Sequence, residues 1–95
     1  MDSALEIDWD LHNERHLAKH GISRRDAQDV LTGDHILLEY QMEGNELRWV
    51  AVGATRKGRI LNLVFTIRGE AVRPITGWVA EKETADLYMR EFGRE

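Results

Sequence analysis

The chain has 95 residues, which is enough for one domain with a modest core and too few for two. Its 17 acidic and 13 basic residues give a net charge of −4, which argues against a protein that coats nucleic acid non-specifically. The absence of cysteine excludes disulfides and a thiolate zinc site. No apolar run could span a membrane and the first residues lack a signal-peptide pattern, so we expect a single cytoplasmic domain over residues 1–95.

The N-terminal part predicts a short strand followed by a helix. Alternating apolar residues favour the strand over Leu5–Trp9. Asp10 is placed to cap a helix over residues 11–20, because its carboxylate can accept a hydrogen bond from a backbone N–H of the first turn. This helix has few apolar residues, so we expect it on the surface with Leu17 and Ala18 turned toward the core.

A second helix is indicated by a capping box. Ser23 is the predicted N-cap, and the carboxylate of Asp26, three residues later, can accept a hydrogen bond in return. Ile22 before the cap and Ala27 after it are spaced to pack together as a hydrophobic staple. Gly33 is placed to end this helix.

The middle of the chain predicts a sheet. Strand-favouring residues fill four segments: 36–40, 46–54, 59–68 and 71–79. Short turns at Gly44, Gly58 and Gly69 join them, so we expect an antiparallel meander. Pro74 cannot donate to a strand ladder, which predicts an edge or an irregular position. In the third segment, alternation places four apolar residues on one face: Leu61, Leu63, Phe65 and Ile67.

The last segment predicts a helix over residues 80–92 that covers one face of the sheet. Its apolar residues recur at helical spacing: Ala85, Tyr88, Met89 and Phe92. Together the segments predict an α+β fold, in which two N-terminal helices and one C-terminal helix pack on a small antiparallel sheet of about four strands.

Six local motifs stand in the order and at the intervals found in a known family. They are Trp9-Asp10-x-x-Asn13-x-x-His16-x-x-x-His20-Gly21-Ile22-Ser23, Arg48 with Gly53, Gly58-Arg59, Val64-Phe65-Thr66 with Arg68, Arg73-x-Ile75-Thr76, and Tyr88. In these motifs the chain resembles the BrnT family of type II toxins over nearly its whole length. The resemblance implies a fold like that of RelE-type ribonucleases, RNA cleavage, and an antitoxin of the BrnA kind with a DNA-binding ribbon-helix-helix domain. It leaves open whether the toxin forms a homodimer or a heterotetramer with that antitoxin.

The chain departs from the family pattern at two places. The family commonly reads Arg-x-Ile-Ser-Ala-Arg at the end of the last strand, whereas Trp78 stands here in place of the second arginine. If that arginine stabilises phosphate charge, its loss costs about 3 kcal/mol. Glu81 and Thr84 also reverse the usual order of hydroxyl and carboxylate, which predicts a weak cap on the last helix. An alternative function is therefore an inactive module that binds only its antitoxin.

The residues needed for RNA cleavage without a metal are present. Such cleavage needs a base for the 2′-hydroxyl, an acid for the leaving oxygen and cations around the phosphate. His16 and His20, one turn apart, could serve as base and acid, and Arg59, Arg68 and Arg73 could surround the phosphate. We predict these five as catalytic residues, and the chemistry needs no cofactor. The competing interpretation is that His20 caps the helix and the arginines pair with acidic residues.

Three further residues are candidates for RNA binding. Lys19, between the two histidines, and Arg48 add cations. Trp78 could stack on an unpaired base, a contact worth about 1 to 3 kcal/mol. The competing interpretation places the Trp78 ring in the core, and the same two interpretations apply to Trp49.

A histidine stripe supports a third function. His12, His16 and His20 recur every four residues, and two histidines at that spacing can share zinc or nickel. A metal-dependent hydrolase is therefore a further alternative. The competing interpretation is a row of solvated side chains without a metal, because three histidines at this spacing drift around the helix and no carboxylate stands at the usual ligand spacing.

Overall fold

The computed structural model describes residues 5–93, which form an antiparallel sheet and three helices. The elements in chain order are α1 Leu11–Lys19, α2 Arg24–Thr32, β1 His35–Glu43, β2 Glu46–Ala54, β3 Ile60–Arg68, β4 Ala71–Val79 and α3 Lys82–Phe92. The strands lie in the order β1-β2-β3-β4, and each pairs antiparallel with the next. The predicted α+β fold and meander are confirmed. Within residues 5–93, no helix is long and apolar enough to cross a membrane.

Both N-terminal helices begin at the predicted N-caps, and both starts are capping boxes, although the sequence predicted a box only for the second. The Asp10 carboxylate accepts a hydrogen bond from the Asn13 backbone N–H at 3.0 Å, and the Asn13 side chain accepts one from the Asp10 N–H at 2.9 Å. Ser23 and Asp26 exchange the same pair of bonds, each 3.0 Å long. These bonds satisfy backbone donors that a helix N-terminus otherwise leaves free. The predicted starts of α1 and α2 are therefore confirmed.

The segment predicted as the first strand forms only a short bridge. Ile7 pairs with Val72 of β4 in parallel orientation. The Asp8 N–H donates to the Val72 carbonyl at 2.8 Å, and the Val72 N–H donates to the Glu6 carbonyl at 2.9 Å. These bonds protect part of the β4 edge from pairing with another chain.

The main core lies between one face of the sheet and the first two helices. Its buried residues are Leu17, Ile22, Ala27, Val30, Leu31, Ala51, Leu61, Leu63 and Phe65. The inward position of Leu17 is confirmed, but that of Ala18 is wrong, because Ala18 is exposed and Asn13 is buried instead. Ile67 shares the face of Leu63 and Phe65 by alternation, yet it is 48% exposed. The helices therefore cover only part of the predicted apolar face.

The opposite face of the sheet buries Val50, Val52 and Val64, and α3 packs there against β2. Of the predicted stripe on α3, Tyr88 is buried, and its hydroxyl donates to the Asp34 carbonyl at 3.4 Å. Helix α3 starts two residues later than predicted. Glu81 occupies its N-cap without a side-chain hydrogen bond to the helix, which confirms the weak cap.

Pro74 lies at the predicted irregular position on an edge strand. The register of β3 and β4 shifts there, because Val64 pairs with Thr76 while Phe65 pairs with Pro74, leaving Ile75 as the extra residue. The buried side-chain amide of Asn13 donates to the Pro74 carbonyl at 2.9 Å and to the Asp8 carbonyl at 3.0 Å. Asn13 therefore fixes the start of α1 against the bulge in β4.

We expect Asn13→Ala to lower the free energy of unfolding by about 1 to 3 kcal/mol, because it leaves the buried Pro74 carbonyl without its donor. Urea unfolding followed by circular dichroism measures this change. Arg15→Ala, on the exposed side of the same helix, is the matched control and should change stability by less than about 0.5 kcal/mol. Equal stabilities of the two variants would contradict the anchoring role of Asn13.

Candidate active site

A cleft of about 190 Å³ lies between α1 and the sheet face on the side away from the main core. Its lining consists of two histidines and an asparagine from α1, three arginines from neighbouring strands, and one apolar residue from the bulge: His12, His16, Asn13, Arg48, Arg68, Arg73 and Ile75. The cleft thus brings together four of the predicted site residues, His16, Arg48, Arg68 and Arg73. It adds His12, which the sequence suggested only as a metal ligand.

The register of the strands explains why the three arginines converge. Arg73 lies opposite Thr66 in the β3–β4 ladder, and Arg68 follows Thr66 by two residues, so both arginines are on one face. Arg48 reaches the same face of β2, two residues before Val50. One arginine from each of three adjacent strands therefore points to the same region of the sheet.

Arg73 is largely buried, and both of its terminal nitrogens face carboxylates. Its Nη1 lies 3.5 Å from Asp8, and its Nη2 lies 3.1 Å from Asp10. The hydrogen bond from Arg73, followed by that from the Asn13 backbone, lowers the pKa of Asp10, and the Asp10 contact raises the pKa of Arg73. Because folding lowers the pKa of Asp10, the pair stabilises the fold above the ordinary pKa of 3.8, and this contribution is lost as the pH falls below it.

Glu46 joins the other two arginines of the cleft. Its Oε1 accepts hydrogen bonds from Arg48, whose Nε and Nη2 both lie at 3.1 Å, and its Oε2 lies 3.3 Å from Arg68 Nη2. The Arg48 contact, with a smaller contribution from Arg68, lowers the pKa of Glu46. Sequence reasoning missed Glu46, although its spacing of two residues from Arg48 in a strand puts both side chains on one face.

The charges divide the cleft into two unequal halves. In one half, Arg48 and Arg68 share a single carboxylate, that of Glu46. In the other half, Arg73 alone pairs with two carboxylates, those of Asp8 and Asp10. The Arg68 side chain is also 54% exposed, while that of Arg73 is 8% exposed. An added phosphate would therefore be held more strongly at the Arg48 and Arg68 half.

The two predicted catalytic histidines differ in position. His16 lines the cleft, while His20 lies outside it as the C-cap of α1, with a ring centroid 5.5 Å from that of His16. Lys19 lies in a second groove, of about 560 Å³, that runs along α1 past His12 and His16. Among residues 5–93, no three histidine or acidic side chains are arranged to hold a metal ion.

Two other predicted site residues lie away from the cleft. Arg59 stands at the opposite end of β3 from Arg68, about 30 Å away along an extended strand. Its Nη1 donates to the Gly21 carbonyl at 3.0 Å and lies 3.5 Å from Asp26, so it ties β3 to the connection between the helices. Trp78 is half-buried, pairs with Asn62 in the ladder and does not line the cleft.

The fold and the cleft are those of a small α+β protein that gathers arginines and histidines at one site. A family model described as the ribonuclease toxin, BrnT, of type II toxin-antitoxin systems matches residues 9–83. This match includes every residue that lines the cleft. The chain belongs to the BrnT family of ribonuclease toxins, which confirms the resemblance seen in the sequence and implies an antitoxin partner. A search among curated proteins found no match.

Proposed function

We propose that this protein is a toxin that cleaves RNA in the cleft without a metal ion and is neutralised by a ribbon-helix-helix antitoxin. The observation that carries the proposal is the convergence of His16, Arg48 and Arg68 from three separate elements on one site. Membership of a ribonuclease toxin family supports the same activity. The chemistry needs a phosphate site beside groups that exchange protons, and the cleft has both.

In this proposal Arg48 and Arg68 hold the scissile phosphate. Glu46 occupies one side of each guanidinium and keeps both in place, which leaves further N–H groups free to donate to phosphate oxygens. Negative charge accumulates on those oxygens in the transition state, where the two cations stabilise it. Arg48 thus combines the predicted role in RNA binding with direct contact to the reacting group.

The two histidines of the cleft supply the proton transfers. One neutral imidazole, of His12 or His16, accepts the proton of the 2′-hydroxyl while its oxygen attacks the phosphorus. The other, protonated, donates a proton to the departing 5′-oxygen as its bond to phosphorus breaks. The products are a 2′,3′-cyclic phosphate and a 5′-hydroxyl, and the two imidazoles exchange protonation states. The one-turn spacing of His12 and His16 on α1 presents both rings to the same cleft.

Arg73 is a positioning residue in this scheme. Asp10 caps α1 and also accepts a hydrogen bond from Arg73, so the ion pair links the helix that carries His16 to β4. The two carboxylates around Arg73 already satisfy its charge, which makes it a weaker phosphate ligand than Arg68. Arg59, at the far end of β3, stabilises the connection between α1 and α2 through Asp26.

RNA binding extends from the cleft along α1. The groove beside this helix is lined by Arg15 and Lys19, which can contact the phosphates next to the scissile bond. Trp78 lies on the same sheet face as the cleft, farther toward α3, and is half-buried, so the accessible part of its ring can stack on a base. Arg15 and Lys19 are exposed and Trp78 is half-buried, and all three add binding energy outside the reacting groups.

A second candidate function is an inactive module that binds only the antitoxin. Two observations favour it. Arg73 is neutralised by Asp8 and Asp10, and Trp78 stands where the family commonly has an arginine. Both reduce the positive charge available to a phosphate.

RNA cleavage in excess chelator tests the proposal. The purified chain should convert single-stranded RNA to fragments with cyclic phosphate ends, and Arg68→Ala prepared in parallel controls for contaminating nuclease. Activity that appears only with zinc or manganese would instead support a hydrolase that uses the histidines of α1. No cleavage under either condition, with cleavage gained in Trp78→Arg, would identify the inactive module.

A further inference from the structure

Part of the sheet face that carries the main core is left uncovered. Toward the turns that join β1 to β2 and β3 to β4, this face is formed by Tyr40, Met42, Leu47, Trp49 and Ile67, which we call the open apolar face. Tyr40 is 70% exposed, Met42 60% and Ile67 48%, while Leu47 and Trp49 are half-buried.

The pairing of the strands makes the open apolar face continuous. Tyr40 lies opposite Trp49 and Met42 opposite Leu47 in the β1–β2 ladder. Trp49 stacks on Phe65 with ring centroids 5.8 Å apart, and Ile67 follows Phe65 by two residues on the same face. Exposed and half-buried apolar side chains thus extend across three adjacent strands. Clusters of this kind on a small protein mark interaction sites.

The open apolar face and the cleft lie on opposite sides of the same strands. Arg48 stands between Leu47 and Trp49 in β2, and Arg68 follows Ile67 in β3, so alternation turns the arginines to one side and the apolar residues to the other. A molecule bound to the open apolar face would therefore leave the cleft accessible.

An acidic residue borders the open apolar face. Glu70 lies in the turn between β3 and β4, three residues after Ile67; it is exposed and forms no ion pair with another residue of the described range 5–93. Glu43, by contrast, lies opposite Glu46 in the β1–β2 ladder, so alternation places it on the cleft side. The Glu70 carboxylate repels RNA phosphates and attracts lysine or arginine. The occupant that fits is a polypeptide with an apolar side bordered by a basic residue.

A helix matches the shape of this surface. In a sheet of three adjacent strands, the outer two strands lie about 10 Å apart. This distance is close to the diameter of an α-helix with its side chains. Helix α2 already packs on the same face beside the open part and buries Ala27 and Val30. A further helix would continue that layer over the exposed apolar side chains.

We infer that the open apolar face binds an amphipathic helix of the antitoxin. The apolar side of that helix covers Tyr40, Met42 and Ile67, and a basic residue beside it reaches Glu70. The identification of the partner as the antitoxin rests on the proposed function. This contact supplies affinity and leaves the cleft open, so a different part of the antitoxin must block the cleft. Loss of the contact should weaken binding without changing RNA cleavage by the free toxin.

The test introduces charge into the open apolar face. Met42→Glu and Ile67→Glu should each weaken binding of the antitoxin encoded by the neighbouring reading frame about 30-fold or more, measured by titration calorimetry. Val79→Glu is the matched control, because Val79 is 58% exposed and also lies in a strand, away from the open apolar face. Melting temperature and RNA cleavage should be equal in the three variants and the wild type. Glu70→Lys should weaken binding about threefold and reduce its dependence on salt.

Several outcomes would overturn the inference. The inference is wrong if Met42→Glu and Ile67→Glu bind the antitoxin as tightly as Val79→Glu does. RNA cleavage by the wild type would in that case still support the proposed function. If the wild type sediments as a dimer and Met42→Glu sediments as a monomer, the open apolar face binds a second copy of this chain and not the antitoxin. RNA binding weakened by Met42→Glu would make RNA the occupant. A wild type that neither cleaves RNA nor binds the antitoxin would overturn both the inference and the proposed function.

Discussion

Arg68→Ala is expected to slow RNA cleavage about 100- to 1000-fold, because it removes a cation from the half of the cleft where cations outnumber carboxylates. The fold should be unaffected. The Arg68 side chain is 54% exposed and its ion pair with Glu46 is 3.3 Å long, and such surface pairs contribute only about 0 to 1 kcal/mol to stability. Initial rates on a fluorescent single-stranded RNA, together with the melting temperature, measure both effects.

Two further variants make the Arg68 result specific. Arg68→Lys should recover only part of the activity, since lysine keeps the charge but lacks the planar pair of donors. Arg56→Ala removes an arginine in the turn between β2 and β3, at the other end of the sheet, whose side chain is 72% exposed, and should leave the rate unchanged. A normal rate in Arg68→Ala, or an equal loss in Arg56→Ala, would show that phosphate is not held at this position.

His16→Gln is expected to lower the cleavage rate about 100- to 10,000-fold, the range for loss of a general acid or base. Glutamine keeps a polar side chain of similar size but cannot exchange a proton near neutral pH. The pH dependence of the rate should lose one limb of its bell shape in this variant, a change that a purely structural effect would not produce.

His20→Gln is the matched control for His16. His20 lies one turn after His16, as the C-cap of α1 and outside the cleft. The cleavage rate of His20→Gln should stay within about threefold of the wild-type rate, a much smaller change than the loss of a general acid or base produces. If His20→Gln loses as much activity as His16→Gln while both fold normally, the reacting groups lie outside the cleft described here.

The local structure of this protein could be predicted from short stretches of sequence. The helix starts at Asp10 and Ser23 depend on hydrogen bonds between residues three positions apart, so the sequence contains both partners of each bond. The turns at Gly44, Gly58 and Gly69 have positive φ angles of 65°, 85° and 62°, which glycine adopts without strain. Because all the strand connections are short, these signals also determined the antiparallel meander.

The composition of the cleft could be predicted only in part. Arg59 and Arg68 stand at opposite ends of the same predicted strand, and the residues around them do not show which of the two lines the cleft. The position of α1 along β4 decides that Arg68 lines the cleft and that Arg59 instead binds Gly21 and Asp26. The same packing separates His16 from His20, although the two are only one turn apart.

The sequence by itself determined the order, type and approximate limits of the helices and strands, because hydrophobic periodicity, caps and turns act over a few residues. Only the tertiary structure decided which charged groups meet. The contacts between Arg73 and Asp10 and between Asn13 and Pro74 join residues 63 and 61 positions apart. Such pairs depend on how α1 packs against the edge of the sheet, since side chains distant in sequence meet only where packed elements bring them together.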